Sequence, residues 1–399
     1  MADSSGDTGS ASTSFTTAGT LYYPTDVARI LDTRKGIGAS VAKVPAGGTL
    51  RLKVVGAADG PNTLPSGISA VALNLTAVNG TAGGYITAYA DDSAVPGVSN
   101  LNYGTAPVAN TVIAQVGSDG YVDLRNTSGH AGSSVDLVAD IEGFYTTSLT
   151  EGEPYGYTPV APTRLLDTRN GTGAAKAKVG AYKSVTLNVT GQIGDVLFTQ
   201  TNSAAVVAHV TVTNTASAGF ITSYPGGAKL PTASTLNFTA GQTISNTVIV
   251  PIENGAIQLY NGSPGTADLI VDVTGYYTAT GYTYVPITPT RLIDTRTTQP
   301  VSWGSELAVP TASADADLAG AEALAANLTA TEPTSGGNLG AGSTGWETSS
   351  VNFGVGQTVA NFTQISTSPT EFPVYDGQTS GHVEVIADVY GYFADTFED

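Results

Sequence analysis

The chain has 399 residues, a formal net charge of −18 and a pI near 4.3. Its length suggests two to four domains of roughly 100–200 residues each, and its charge excludes nucleic acid as a partner, because phosphate binding needs clustered Lys and Arg. With no cysteine, disulfides and thiol-based metal or redox chemistry are excluded as well.

In chain order, residues 1–20, "MADSSGDTGSASTSFTTAGT", are polar and have neither a basic n-region nor an apolar h-region. They are read as a flexible N-terminal arm rather than a signal peptide. "GDTGS" (6–10) matches an aspartic-protease signature, but it lies in this arm rather than behind an apolar strand. From residue 21 the sequence alternates with period two. Leu73 and Leu75 face one way and Asn74 and Thr76 the other, as in a strand. "GSDG" (117–120) and "ENG" (253–255) sit between strands as hairpin turns. The one helix-friendly stretch is "ADADLAGAEALAANL" (314–328), whose end is expected to become a strand.

Self-comparison organises the rest. "RILDTR" (29–34) returns as "RLLDTR" (164–169) and "RLIDTR" (291–296). "VALNLTAVNGTAGGYITAY" (71–89) matches "VVAHVTVTNTASAGFITSY" (206–224), with "LAANLTATEPTSGG" (324–337) as a degraded copy. "SNLNYGTAPVANTVI" (99–113) returns twice, at 234–250 and 349–365, and "VDLVADIEGFYTT" (135–147) returns at 267–279 and 383–395. The domains are therefore 21–148, 156–279 and 283–395, joined by "LTEGEPYG" (149–156) and the very short "TATGY" (278–282). The fold class is all-β: three tandem antiparallel β-sandwich domains, jelly-roll-like, with about eight strands each. The alternative is three β-trefoils.

The order R-[LI]-[LI]-D-T-R, "ALNLT", "SNLNF…GQTVAN", "DVTGYY" resembles a repeat domain of actinobacterial surface and secreted proteins and of proteins of the phages that infect those bacteria. The resemblance spans nearly the whole chain after residue 20. It departs mainly in the third unit, at "PVSWGSEL" and "GGNLGAGSTGWE". It implies a unit that accompanies cell-wall hydrolases or stands in tandem alone, without assigned chemistry of its own.

Six of the chain's eight arginines lie in the three hexapeptides. On an unbroken strand, Asp32 and Arg34 share a face and Arg29 lies on the other, with Leu31 and Thr33. One reading is a domain-closing polar network of Arg29, Asp32, Arg34 and Asp140, of Arg164, Asp167, Arg169 and Asp272, and of Arg291, Asp294, Arg296 and Asp388. A buried charge is tolerated only when paired, which favours this reading. The other reading is an arginine clamp for an external carboxylate, repeated for avidity. Asn74, Tyr85, Tyr89, Asn102, Phe220, Tyr224 and Asn237 are candidate glycan contacts. The wider asparagine row, with Asn110, Asn246, Asn327, Asn352 and Asn361, pairs loop backbone equally well.

His130, His209 and His382 fall in different units at different motif positions, so no catalytic set is assembled from sequence, and no cofactor or metal is expected. No window approaches the ~18 apolar residues of a membrane span, so no membrane insertion is expected either. The expectation is a non-enzymatic structural protein of a phage virion, such as a capsid decoration, head fibre or tail protein. It would be attached to other virion proteins through its arm, as part of an assembly or homo-oligomer, and could bind host-surface glycans. The alternative is a secreted, wall-associated module that binds carbohydrate or peptidoglycan.

Overall fold

The computed structural model describes residues 19–59, 62–148, 152–312, 318, 320–342, 348–368 and 370–395. The expected arm falls outside these except for its last two residues, and so does the start of the helix-friendly stretch. Its end is the strand Ala323–Thr331. Among the described residues there is no α-helix, and every sheet is antiparallel.

Each unit supplies eight principal strands. In the first they are Leu21–Asp32, Thr49–Lys53, Ile68–Val78, Gly84–Ala90, Leu101–Tyr103, Val108–Gln115, Tyr121–Thr127 and Ser134–Thr146. These runs are rich in Val, Ile, Thr and Tyr, which suit a pleated surface. They pair in the order 1-8-3-6 in one sheet and 2-7-4-5 in the other, and the second and third units repeat both orders. Leu73, Leu75 and Leu137 of the first sheet meet Leu52, Ile86 and Leu124 of the second in one hydrophobic core. The other units build equivalent cores around Val210 and Leu259 and around Leu328 and Val374.

A fourth core joins them. Tyr22, Ala70, Ile113 and Tyr145 of the first unit pack with Tyr157, Val207, Ile249 and Tyr277 of the second and with Tyr284, Ala325, Phe362 and Phe393 of the third. The outer face of each 1-8-3-6 sheet is therefore buried against its neighbours, and Ile68–Val78 is buried almost throughout. A glycine in each closing strand makes the approach possible. A Cβ on Gly143, Gly275 or Gly391 would lie 2.3 Å from the side chain of Tyr22, Tyr157 or Tyr284.

The backbone closes the circle. Tyr22 pairs with Tyr155, Tyr157 with Tyr282, and Thr20 with Tyr284, so the first unit is hydrogen-bonded to the third as well as to the second. Small antiparallel sheets thus stand in a ring, which resembles a propeller rather than three separate sandwiches. The cause is the apolar outer face of each first sheet, which is buried against the neighbouring units. The trefoil alternative fails because eight strands in two sheets fill each unit. The threefold relation lies between units rather than within them.

Candidate functional site

The hexapeptides lie at the end of each unit's first strand, where a β-bulge interrupts the ladder between Arg29 and Leu31, Arg164 and Leu166, and Arg291 and Ile293. The extra residue reverses the alternation beyond it. The expected separation of Arg29 from Asp32 is therefore corrected: the two meet on one face, 3.5 Å apart. Arg29 stands directly opposite Asp140 and donates to both its oxygens, at 2.8 and 3.0 Å. Arg164 grips Asp272 at 2.8 and 3.0 Å, and Arg291 grips Asp388 at 2.8 and 3.1 Å. Two parallel bonds make these the strong form of the pair.

Arg34 doubles back onto Asp32 through Nε and Nη2, both at 2.8 Å, while its backbone N–H donates to the same carboxylate at 3.1 Å. Arg169 with Asp167 and Arg296 with Asp294 repeat this arrangement. These bonds to arginine hold Asp32, Asp167 and Asp294 below the usual carboxylate range. At Asp140, Asp272 and Asp388 burial is the larger influence and raises the carboxyl, with the arginine opposing it. The hexapeptide threonine is used too. Thr33 donates to Asp136 at 3.0 Å and accepts from Leu137 N–H at 3.1 Å. Each cluster holds two guanidiniums and two carboxylates, so it carries no net charge.

The clusters border the seams between units. Arg164 and Arg169 line a cleft of about 190 Å³ with Asn338 and Asn352 of the third unit. Arg291 and Arg296 line one of about 160 Å³ with Tyr85 and Asn102 of the first. At the remaining seam Arg29 donates to the Thr232 carbonyl at 3.3 Å, across to the second unit.

The asparagine row sews the same seams. Asn246 donates to Asn74 at 3.0 Å and accepts from Thr111 N–H at 3.2 Å. Asn110 donates to Asn327 at 2.9 Å and accepts from Phe362 N–H at 2.8 Å. Asn361 lies 3.4 Å from His209 and accepts from Thr247 N–H at 3.3 Å. Each unit thus reaches the next in one direction around the ring. Asn74, Tyr89 and Tyr224 are 4%, 4% and 7% exposed, so as glycan contacts they are corrected by burial. Phe220 and Asn237 form a half-buried cross-strand pair. Tyr85 and Asn102 form the equivalent pair in the first unit, with the Tyr85 ring exposed.

Two further buried ionisable groups, Glu142 and His209, lie in the same sheets. Glu142 accepts from Thr111 Oγ1 and from Ile249 N–H of the second unit, each at 3.3 Å, and burial pushes its carboxyl up to about 8. Burial drives the His209 imidazole down to about 3. The repeat alignment marks both as departures: Thr274 and Tyr390 stand where the first unit has Glu142, and Asn74 and Asn327 where the second has His209. Among the described residues no cluster of three or more His, Cys, Asp or Glu could hold a metal ion.

No family model matches the chain, and no curated protein matches it. Among solved structures it is similar to a chain of Sulfolobus Turreted Icosahedral Virus, at 10% identity and a TM-score of 0.17, covering 89% of this chain and 86% of that one. A second chain, described with the triple jelly roll fold and turret assembly of an archaeal virus, has 10% identity and a TM-score of 0.17, covering 95% and 91%. Likenesses of that size carry no argument about fold or function.

Proposed function

We propose that the chain is a non-enzymatic structural protein of a virion surface, built from three fused jelly rolls. The observation that supports this is the strand order 1-8-3-6 facing 2-7-4-5, repeated in three units around one buried axis. That order is the double Greek key of a jelly roll, an architecture shared by capsid proteins and lectins. The recurring arginines and asparagines form internal pairs and seams, which suits a building block better than an enzyme. The polar segment 1–18 is the proposed attachment to other virion proteins, because Thr20 already belongs to the ring.

The test is mass spectrometry and antibody-gold labelling of particles purified from the source culture. The chain is expected in many copies on the particle surface. A chain lacking residues 1–18 should fold with unchanged β circular dichroism and fail to join particles. Recovery of the chain only from the cell-wall fraction would overturn the reading in favour of a wall-associated module.

A further inference from the structure

Residues of all three units line an open concavity of about 610 Å³, within the roughly 300–1,000 Å³ of small-molecule sites. Its wall comes from the chain leading into the sixth strand of every unit, with the Tyr85–Asn102 pair of the first unit on one side. No charged residue lines it, although the chain carries a net charge of −18. Its polar groups are hydroxyls and amides, among them those of Tyr85, Asn102, Thr239, Gln242 and Gln357.

We infer that this mouth binds a short neutral oligosaccharide. Tyr85 is 37% exposed, and a flat π face stacks on the C–H face of a pyranose. Two turns pre-orient the amides opposite. Gln242 Oε1 accepts from Thr239 N–H at 2.9 Å, and Gln357 Oε1 accepts from Gly354 N–H at 2.7 Å. With each oxygen held by its turn, the amide nitrogen is the end left to donate to a sugar hydroxyl. No cation or carboxylate stands in this wall, and the guanidiniums of the adjoining cleft that shares Tyr85 and Asn102, Arg291 and Arg296, are already paired with Asp388 and Asp294. A nucleic-acid strand would lack the basic groove that stacking platforms need. The mouth is also where the repeat symmetry breaks. The positions equivalent to Tyr85 are Phe220, which is half-buried and covers Gly262, and Asn338, while Ala106 stands where the other units have glutamine. One aromatic face and two amides make a single asymmetric site on a threefold scaffold. The inference holds whether the chain sits on a particle or on a wall.

The full-length chain is titrated calorimetrically with maltohexaose, cellohexaose, mannohexaose and chitohexaose, and with sialyllactose and oligogalacturonate as acidic probes. At least one neutral hexaose is expected to bind saturably, and Tyr85→Ala should weaken it about tenfold or more, as loss of an aromatic anchor does. The double variant Gln242→Ala/Gln357→Ala should weaken it by a similar factor, and it carries the test if Tyr85→Ala fails to fold. Trp303→Ala, which removes an exposed ring elsewhere, should change nothing. Absence of neutral-sugar binding, binding of the acidic probes alone, or affinity unmoved by the mouth variants would overturn the inference.

Discussion

Arg164 and Asp272 face each other across two antiparallel strands, the arginine 31% exposed at its side chain and the aspartate 1%. Removing one member of a fully buried pair costs about 3–5 kcal/mol, and the partial exposure of Arg164 brings the expectation down to about 2–3 kcal/mol. Urea unfolding of the full chain should show that loss for Arg164→Ala and at least as large a one for Asp272→Ala. The double variant should lose less than the sum, because the second substitution removes a group already without its partner. Additive losses would mean that the pair is not a unit. Glu142 allows a pH test. Its folded carboxyl titrates at about 8 against an ordinary 4.5, so the proton is held more tightly in the fold than out of it. Its contribution is complete below the ordinary value and is lost as pH rises through about 8. Glu142→Gln keeps the shape without the titration. It should stabilise the chain by up to several kcal/mol near pH 9 and change little near pH 5. Equal effects at both pH values would place the Glu142 charge in solvent.

Strands such as Ile68–Val78 and Ser203–Thr213 show what the sequence could and could not tell. Their alternation was legible, and so were their repeats, because period two is set by backbone geometry alone. The destination of the polar face was not. Asn74 reads as solvent-facing, yet it is buried against the second unit, since a polar side chain that finds a partner across a seam looks the same in sequence as one that finds water. The bulge beside Ile30 was equally hidden, and it reversed the face expected for Arg29. The pairing of Arg29 with Asp140 was nameable because both recur in all three units, but its register required the strands. His209 is the exception within the row, and its Nε2 is buried without a hydrogen-bond partner. Its folded value of about 3 lies below the ordinary 6.5, so it stays neutral in the fold and gains a proton on unfolding in acid. Its stabilising share is complete above 6.5 and is lost as pH falls toward 3. The opposing slopes of Glu142 and His209 overlap between 4.5 and 6.5, so these two contributions offset each other there. His209→Asn restores the residue of the other units and should raise urea stability near pH 4 while leaving it nearly unchanged near pH 7. An unaltered acid limb would show that other groups set it.

At the scale of the molecule, the fourth core decides whether three units behave as one. One hydroxyl makes the coupling concrete. Tyr277 of the second unit bonds to Tyr145 of the first and accepts from Gln364 Nε2 of the third at 2.7 Å, with all three side chains buried. An isolated unit would expose Tyr157, Val207, Ile249 and Tyr277 on the outer face of its first sheet, an apolar surface of the kind that drives association. The whole chain is therefore expected to unfold in a single cooperative step despite its length. Tyr277→Phe should cost about 1–3 kcal/mol, the penalty of leaving buried partners unpaired, and Tyr277→Ala about 3–5 kcal/mol. Hydrogen exchange locates the loss. If the ring is one unit, Tyr277→Ala should speed exchange in the closing strands of all three units, Ser134–Thr146, Asp268–Thr278 and His382–Ala394. Val210→Ala, within the second unit's own core, should lower the same global stability, since the units melt together. Faster exchange confined to 156–279 in both variants, with the other two units protected as in the native chain, would instead mean that the seams hold contact without cooperativity. The backbone bridges at Thr20, Tyr22 and Tyr157 favour the coupled outcome, because no unit can leave the ring without breaking hydrogen bonds to both neighbours.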